Sequence, residues 1–350
     1  MKKMFFLILY AVFLLLFVEF TCRLFWTIHF HEQLWTPDAL AKKIRSLESF
    51  YPQLKTIKPI EISRNDDTYD ILILSASVFN SHWGNISALL EKKLQVLLKR
   101  PVRLFNMAEG AHTSRDSLFK YQALREKQFD LVIIYHGMNE VRANNCPPEL
   151  YQEDYSHYSW YREINFANSC DRHPRWITPI TLSYLQERIL SKLDSSKTVP
   201  TNWPKEEWTK WGYLIRTPAV FGSNLSEILR LARQKREQIM LLSYAYYVSP
   251  NYSREAFEAK SLDYVAYMYP VELWGKPEYV LKALDAHNEV IRKLAGRFPE
   301  VWFLDQNKLM PKEGRFFNDI CHLSPAGCEL FTNYLSAQIT EHVDKSNGVL

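Results

Sequence analysis

The chain has 350 residues, 47% of them hydrophobic and 14% aromatic, which suffices for one large core and excludes a disordered or repeat composition. Its net charge of +4 arises from 43 Lys and Arg against 39 Asp and Glu spread along the whole length. That spread excludes the clustered basic footprint of a nucleic-acid-binding protein.

Lys2 and Lys3 precede an uninterrupted apolar run from Met4 to Val18, and Glu19 and Arg23 mark its far side. The run is short for a spanning helix of about 20 residues and long for a signal h-region of about 7 to 15. No Ala-x-Ala-like pair follows it, and Glu19-Phe20-Thr21 before Cys22 does not suit a lipoprotein site. Residues 1–26 therefore read as an uncleaved signal anchor, a transmembrane helix with its N-terminus inside and the remaining chain outside the cytoplasm. A cleaved signal peptide and a buried core helix are the alternatives. Cys22 lies at the membrane edge, leaving Cys146, Cys170, Cys321 and Cys328 in a compartment that permits disulfides. A Cys146–Cys170 bridge is expected because both lie in one insertion, while Cys321 and Cys328 either pair or stay free. No Cys/His spacing suggests a metal site, and no cofactor motif is present.

Residues 27–68 read as a polar and aromatic connector, with a weak helical pattern around Pro37 to Phe50. The folded domain spans 69–345. Tyr69 to Leu74 is a short apolar run suited to a strand buried on both faces. Trp83 to Arg100 has helical periodicity at Ile86, Leu89, Leu90, Leu94 and Leu97. Val102 to Met107, Asp130 to Tyr135, Gln238 to Ser243 and Val301 to Leu304 are further strands. Helices over Ser114 to Glu126, Leu225 to Lys235 and Pro277 to Phe298 alternate with them. Such alternation predicts a mostly parallel five-stranded sheet with helices on both faces, a three-layer α/β/α sandwich. Two insertions interrupt it, at about 141–221 and 244–274, both dense in Tyr and Trp, with a helix-like piece near Thr181 to Leu193. Both leave the sheet at strand C-terminal ends, the side where open α/β sheets bind ligands.

Chemistry-bearing residues gather at those same ends. The first strand runs into Ser75-Ala76-Ser77, the second into Glu109-Gly110-Ala111, the third into Gly137-Met138-Asn139-Glu140, and Asp319-Ile320-Cys321-His322 lies near the C-terminus. Four blocks in this order resemble the SGNH hydrolases, the GDSL esterase and lipase family, from about Tyr69 onward and outside the insertions. The resemblance implies a flavodoxin-like hydrolase fold and an ester hydrolase without metal or cofactor. Ser77 matches the nucleophile, which needs a base to take its proton; Ser75 is the chemical alternative. His322 matches that base, and Asp319 the acid that fixes its tautomer. The Ser77 amide, the Gly110 amide and the Asn139 side chain match the oxyanion donors. Gly137 serves the turn that aims Asn139.

The family's Gly-Asp-Ser reads Ser75-Ala76-Ser77 here, so its customary Asp is missing, and Glu140 stands where Asp is common. His82, His112 and His136 lie near the blocks as structural or substrate-contacting residues. The leading reading is a membrane-anchored, extracytoplasmic serine esterase or deacylase whose substrate is an acylated small molecule, glycan or lipid, with no nucleic-acid partner. An O-acyltransferase acting on a glycan is the related alternative, and an inactive binding module of the same fold is the alternative from another class.

Overall fold

The computed structural model describes residues 2–38, 47–64, 67–169, 174–193, 205–346 and 348. They fall into two compact units, Met1–Pro52 with Tyr155–Thr201, and Gln53–Asp154 with Asn202–Leu350. The first expected insertion is thus divided: its middle belongs with the N-terminal residues, and its two ends belong with the sheet.

In the first unit one helix runs over Lys2–Phe30. It is long and apolar enough to cross a membrane, and the side chains from Met4 to Val18 are all exposed. The apolar run ends at Glu19, but the helix continues because its next polar residues are satisfied locally. Arg23 donates to Glu19 at 2.7 Å, four residues back. The same carboxylate accepts the amides of Ile177 and Thr178 at 2.9 and 3.0 Å, capping the Thr178–Leu193 helix. A carboxylate there satisfies orphan amides and meets the positive end of the helix dipole. Trp26 is fully buried and donates from its indole to the Thr181 hydroxyl at 2.8 Å.

The second unit holds the sheet. Its strands are β1 (Tyr69–Ser75), β2 (Val102–Asn106), β3 (Leu131–Tyr135), β4 (Gln238–Leu242) and β5 (Trp302–Leu304). Their order is β2-β1-β3-β4-β5, and every pairing is parallel. The expected three-layer architecture is therefore present, with the flavodoxin-like strand order. The Ile86–Leu98 and Pro325–Ser346 helices pack together on one face and the Ser114–Ala123, Thr217–Lys235 and Pro277–Arg297 helices on the other, the division that the right-handed crossover rule requires for this strand order. The Thr217–Lys235 helix starts earlier than its apolar periodicity indicated, with Pro218 in its first turn, where the missing amide hydrogen is not needed.

β1 and β3 are buried along their whole lengths. One charged side chain interrupts β1: Asp70 is fully buried and receives both Nε and Nη2 of Arg103 at 2.6 Å from the facing position on β2. Bidentate pairing of this kind fixes the register of the two strands.

The expected Cys146–Cys170 bridge involves a residue outside the described ones. Cys146 is a free thiol, buried in the sheet unit, with its Sγ 3.4 Å from the Pro147 carbonyl; Cys170 lies outside the described residues. Cys321 and Cys328 are both free and buried.

Candidate active site

The switch point of the sheet lies between β1 and β3, where the connections leave in opposite directions and open a crevice at the strand ends. β1 delivers Ser75 and Ser77 there, and their surroundings separate the two. Ser75 is fully buried and its hydroxyl donates to the Tyr135 carbonyl at 3.0 Å. Ser77 opens a single 3-10 turn, Ser77–Phe79, and its Oγ lies 2.8 Å from Nε2 of His322.

His322 reaches that position through a tightly wound loop. Asp319 Oδ1 accepts the amides of Cys321 and His322 at 2.9 and 2.8 Å, and Oδ2 lies 2.7 Å from His322 Nδ1. One carboxylate thus folds the turn and orients the imidazole. The Asn318 amide donates to the His322 carbonyl at 2.7 Å, closing the loop from outside. Ser324 then caps the Pro325–Ser346 helix by accepting the Gly327 amide at 3.1 Å, with Pro325 in the first helical position. The second insertion backs the loop: the amides of Tyr247 and Val265 donate to the carbonyls of Ile320 and Phe317 at 2.9 and 3.0 Å.

Asn139 sits on a short helix, Met138–Ala143, that follows β3 directly. Its Oδ1 accepts from Arg142 Nη2 at 3.0 Å and from the Trp274 indole at 3.3 Å. Arg and Trp can only donate, so the carboxamide oxygen must face them and the NH2 must face the other way. One NH2 hydrogen goes to the His112 carbonyl at 2.8 Å, which leaves the second for another acceptor. Gly137 permits this placement because a Cβ there would lie 2.9 Å from Cβ of Tyr244. The Gly110 amide donates to the Glu109 carboxylate at 3.0 Å. Gln53 Nε2 also donates to that carboxylate, at 3.0 Å, so Glu109 has to swing aside before Gly110 can donate to anything else.

Beneath these groups lies a buried polar layer. His112 faces Lys120 Nζ at 2.6 Å through Nδ1, and His136 faces the Ser117 hydroxyl at 2.6 Å through Nε2. Burial, with the Lys120 charge nearby, pushes both imidazoles down to about 3, so they stay neutral, and it lowers Lys120 to about 8. Burial also pushes the Glu140 carboxyl up to about 7, although it accepts the Ser114 amide. His112 and His136 are thus buried within this layer, and His82 lies exposed beside Trp83. Asn106 Nδ2 donates to the Phe79 carbonyl at 2.7 Å, pinning the turn that carries Ser77.

Arg142, Trp274, Trp83 and Glu109 are the site residues that reading the sequence missed. Arg142 had a local signal, three positions after Asn139 on the same short helix. Trp274 and Trp83 had none, since long-range packing brings them in. Asp319, Cys321 and His322 also offer ligand atoms within 4.8 Å of one another. Both ring nitrogens of His322 are already hydrogen-bonded, to Asp319 and Ser77, so a cation there would have to break that pair.

A hydroxyl on an imidazole whose far nitrogen is held by a carboxylate can lose its proton while attacking an electrophilic carbon. No family model matches the chain, and no curated protein matches it. Solved structures are similar to the chain at low identity. An acetyl-xylooligosaccharide esterase from Geobacillus stearmophilus is 12% identical with a TM-score of 0.44, over 80% of this chain and 96% of its own. A lipase/acylhydrolase from Enterococcus faecalis is 13% identical with a TM-score of 0.42, over 78% and 96%. A GDSL-like lipase from Bacteroides thetaiotaomicron is 12% identical with a TM-score of 0.41, over 86% and 98%.

Proposed function

We propose that the chain is a serine esterase or deacylase that works through an acyl-enzyme on Ser77. The observation that carries this reading is the unbroken relay from Ser77 Oγ to His322 Nε2 at 2.8 Å and from His322 Nδ1 to Asp319 Oδ2 at 2.7 Å. In the forward step Ser77 Oγ bonds to the ester carbonyl carbon while its proton passes to His322 Nε2. Asp319 stabilises the resulting imidazolium without taking its proton. Collapse of the tetrahedral intermediate breaks the bond to the leaving alcohol, which receives the proton from His322. Water, deprotonated by the same imidazole, then releases the acid and restores the Ser77 hydroxyl. The negative oxygen of each intermediate is received by the Ser77 amide, by the free hydrogen of Asn139 Nδ2, and by the Gly110 amide once Glu109 has turned away.

The N-terminal helix anchors the enzyme in a membrane, and the lysines before the apolar run favour a catalytic unit outside the cytoplasm. An O-acylated cell-envelope glycan or lipid is the substrate class suited to that location.

Purified wild type should hydrolyse p-nitrophenyl acetate and be labelled on Ser77 by a fluorophosphonate probe. Ser77→Ala should lose both, with activity falling by about a thousandfold or more. Full activity in Ser77→Ala would sink the mechanism, and labelling without turnover would mark a binding module.

A further inference from the structure

Three aromatic side chains that take no part in the proton relay crowd its imidazole. Trp83 lies nearly parallel to the His322 ring, with centroids 6.1 Å apart and planes 23° apart. Tyr269 and Trp274 approach the same ring at 5.4 and 6.4 Å. Trp83 also covers Gly110: a Cβ added there would lie 2.5 Å from Trp83 Cη2 and 3.1 Å from Cζ3. The indole therefore reaches from the general base to the backbone amide expected to meet the oxyanion. Its Nε1 donates to the Tyr269 hydroxyl at 3.3 Å, tying the segment after β1 to the second insertion above His322. Trp274 closes the Asn139 side through its indole bond to Oδ1. Ser77 and His322 are 8% and 2% exposed, so the space at the nucleophile is a slot with aromatic walls.

We infer that this slot selects short acyl groups, acetyl above all, and that Trp83 sets the limit. The inference rests on the esterase reading and adds the acyl class that it leaves open. A flexible chain of several methylenes leaving the carbonyl carbon has to displace a half-buried indole that is hydrogen-bonded at one end and packed on Gly110 at the other. A methyl group does not. Well-packed sites resist added methylenes, and one methylene in a fitted pocket is worth about 10- to 200-fold in kcat/KM.

The test is kcat/KM on p-nitrophenyl acetate, butyrate, hexanoate and octanoate for the full-length protein and for Trp83→Ala and Trp83→Phe. Wild type should prefer acetate to hexanoate by about 100-fold or more. Trp83→Ala should shrink that ratio at least about tenfold by gaining on hexanoate, with Trp83→Phe in between. Ser77 labelling by a small fluorophosphonate shows that each variant keeps its triad, so a misfolded Trp83→Ala is recognised, and the wild-type and Trp83→Phe profiles then decide. A flat wild-type profile overturns the inference while leaving the esterase reading intact. Equal loss on every ester in a labelled Trp83→Ala also overturns it. No turnover of any ester and no labelling in wild type overturns both.

Discussion

Arg142 Nη2 and the indole of Trp274 converge on one atom, Asn139 Oδ1, from 3.0 and 3.3 Å. The two donors fix which way the carboxamide faces, and under the proposed mechanism that makes Arg142 a positioning residue for an oxyanion donor. Removing that donor with Asn139→Ala should cost about a hundred- to a thousandfold in kcat. Arg142→Met should lower kcat at least about tenfold with little change in KM, and Arg142→Lys should recover part of the loss. In an Asn139→Ala background Arg142→Met should cost clearly less than in wild type, the remainder coming from its second bond to the Ala111 carbonyl at 3.0 Å. Additive losses in steady-state kinetics would refute the link.

Glu109 ties up the Gly110 amide at 3.0 Å. Breaking a hydrogen bond to a charged acceptor costs about 1.5 kcal/mol or more, roughly tenfold. Glu109→Ala should therefore raise kcat/KM on small esters by up to about tenfold, and an unchanged or lower value would show that Gly110 receives no oxyanion.

The Asp70–Arg103 pair should respond asymmetrically. Asp70 is fully buried, whereas the Arg103 side chain keeps 39% exposure. Arg103→Met strands a carboxylate in the core and should destabilise the sheet unit by about 3 to 5 kcal/mol. Asp70→Asn leaves an arginine that can turn to water and should cost clearly less. Urea denaturation of both variants decides it.

Acidification should weaken the fold in a definite window. His112, His136 and His287 are pushed by burial to about 3 from the ordinary 6.5, so the unfolded chain binds protons that the folded chain refuses. Their contribution is complete above pH 6.5 and is lost as pH falls toward 3. Glu140 runs the other way: held near 7 instead of 4.5, it contributes most below 4.5 and loses that contribution as pH rises through 7. Three groups oppose one, so Tm should fall between about pH 6.5 and pH 5. Glu140→Gln should steepen that fall, and His287→Asn should flatten it.

The α/β layers were legible because buried parallel strands such as Leu131–Tyr135 are apolar without interruption and their helices carry a clear amphipathic period. Ser77, Gly110, Asn139, Asp319 and His322 stood out because each belongs to a short local pattern at a strand end or a single loop. Trp83 and Trp274 did not, since an aromatic residue in a loop looks the same whether it packs on surface or roofs an imidazole. Glu19 read as the end of an apolar run, whereas it is the cap of a helix more than 150 residues later, at Thr178.

That last contact changes how a soluble version should be designed. Cutting after residue 26 to remove the greasy segment would also delete the side chain that closes the Ile177 and Thr178 amides and the indole seated on Thr181. The better solubilising strategy keeps Glu19, Arg23 and Trp26 and replaces outward-facing positions between Met4 and Val18 with Glu, Lys and Gln.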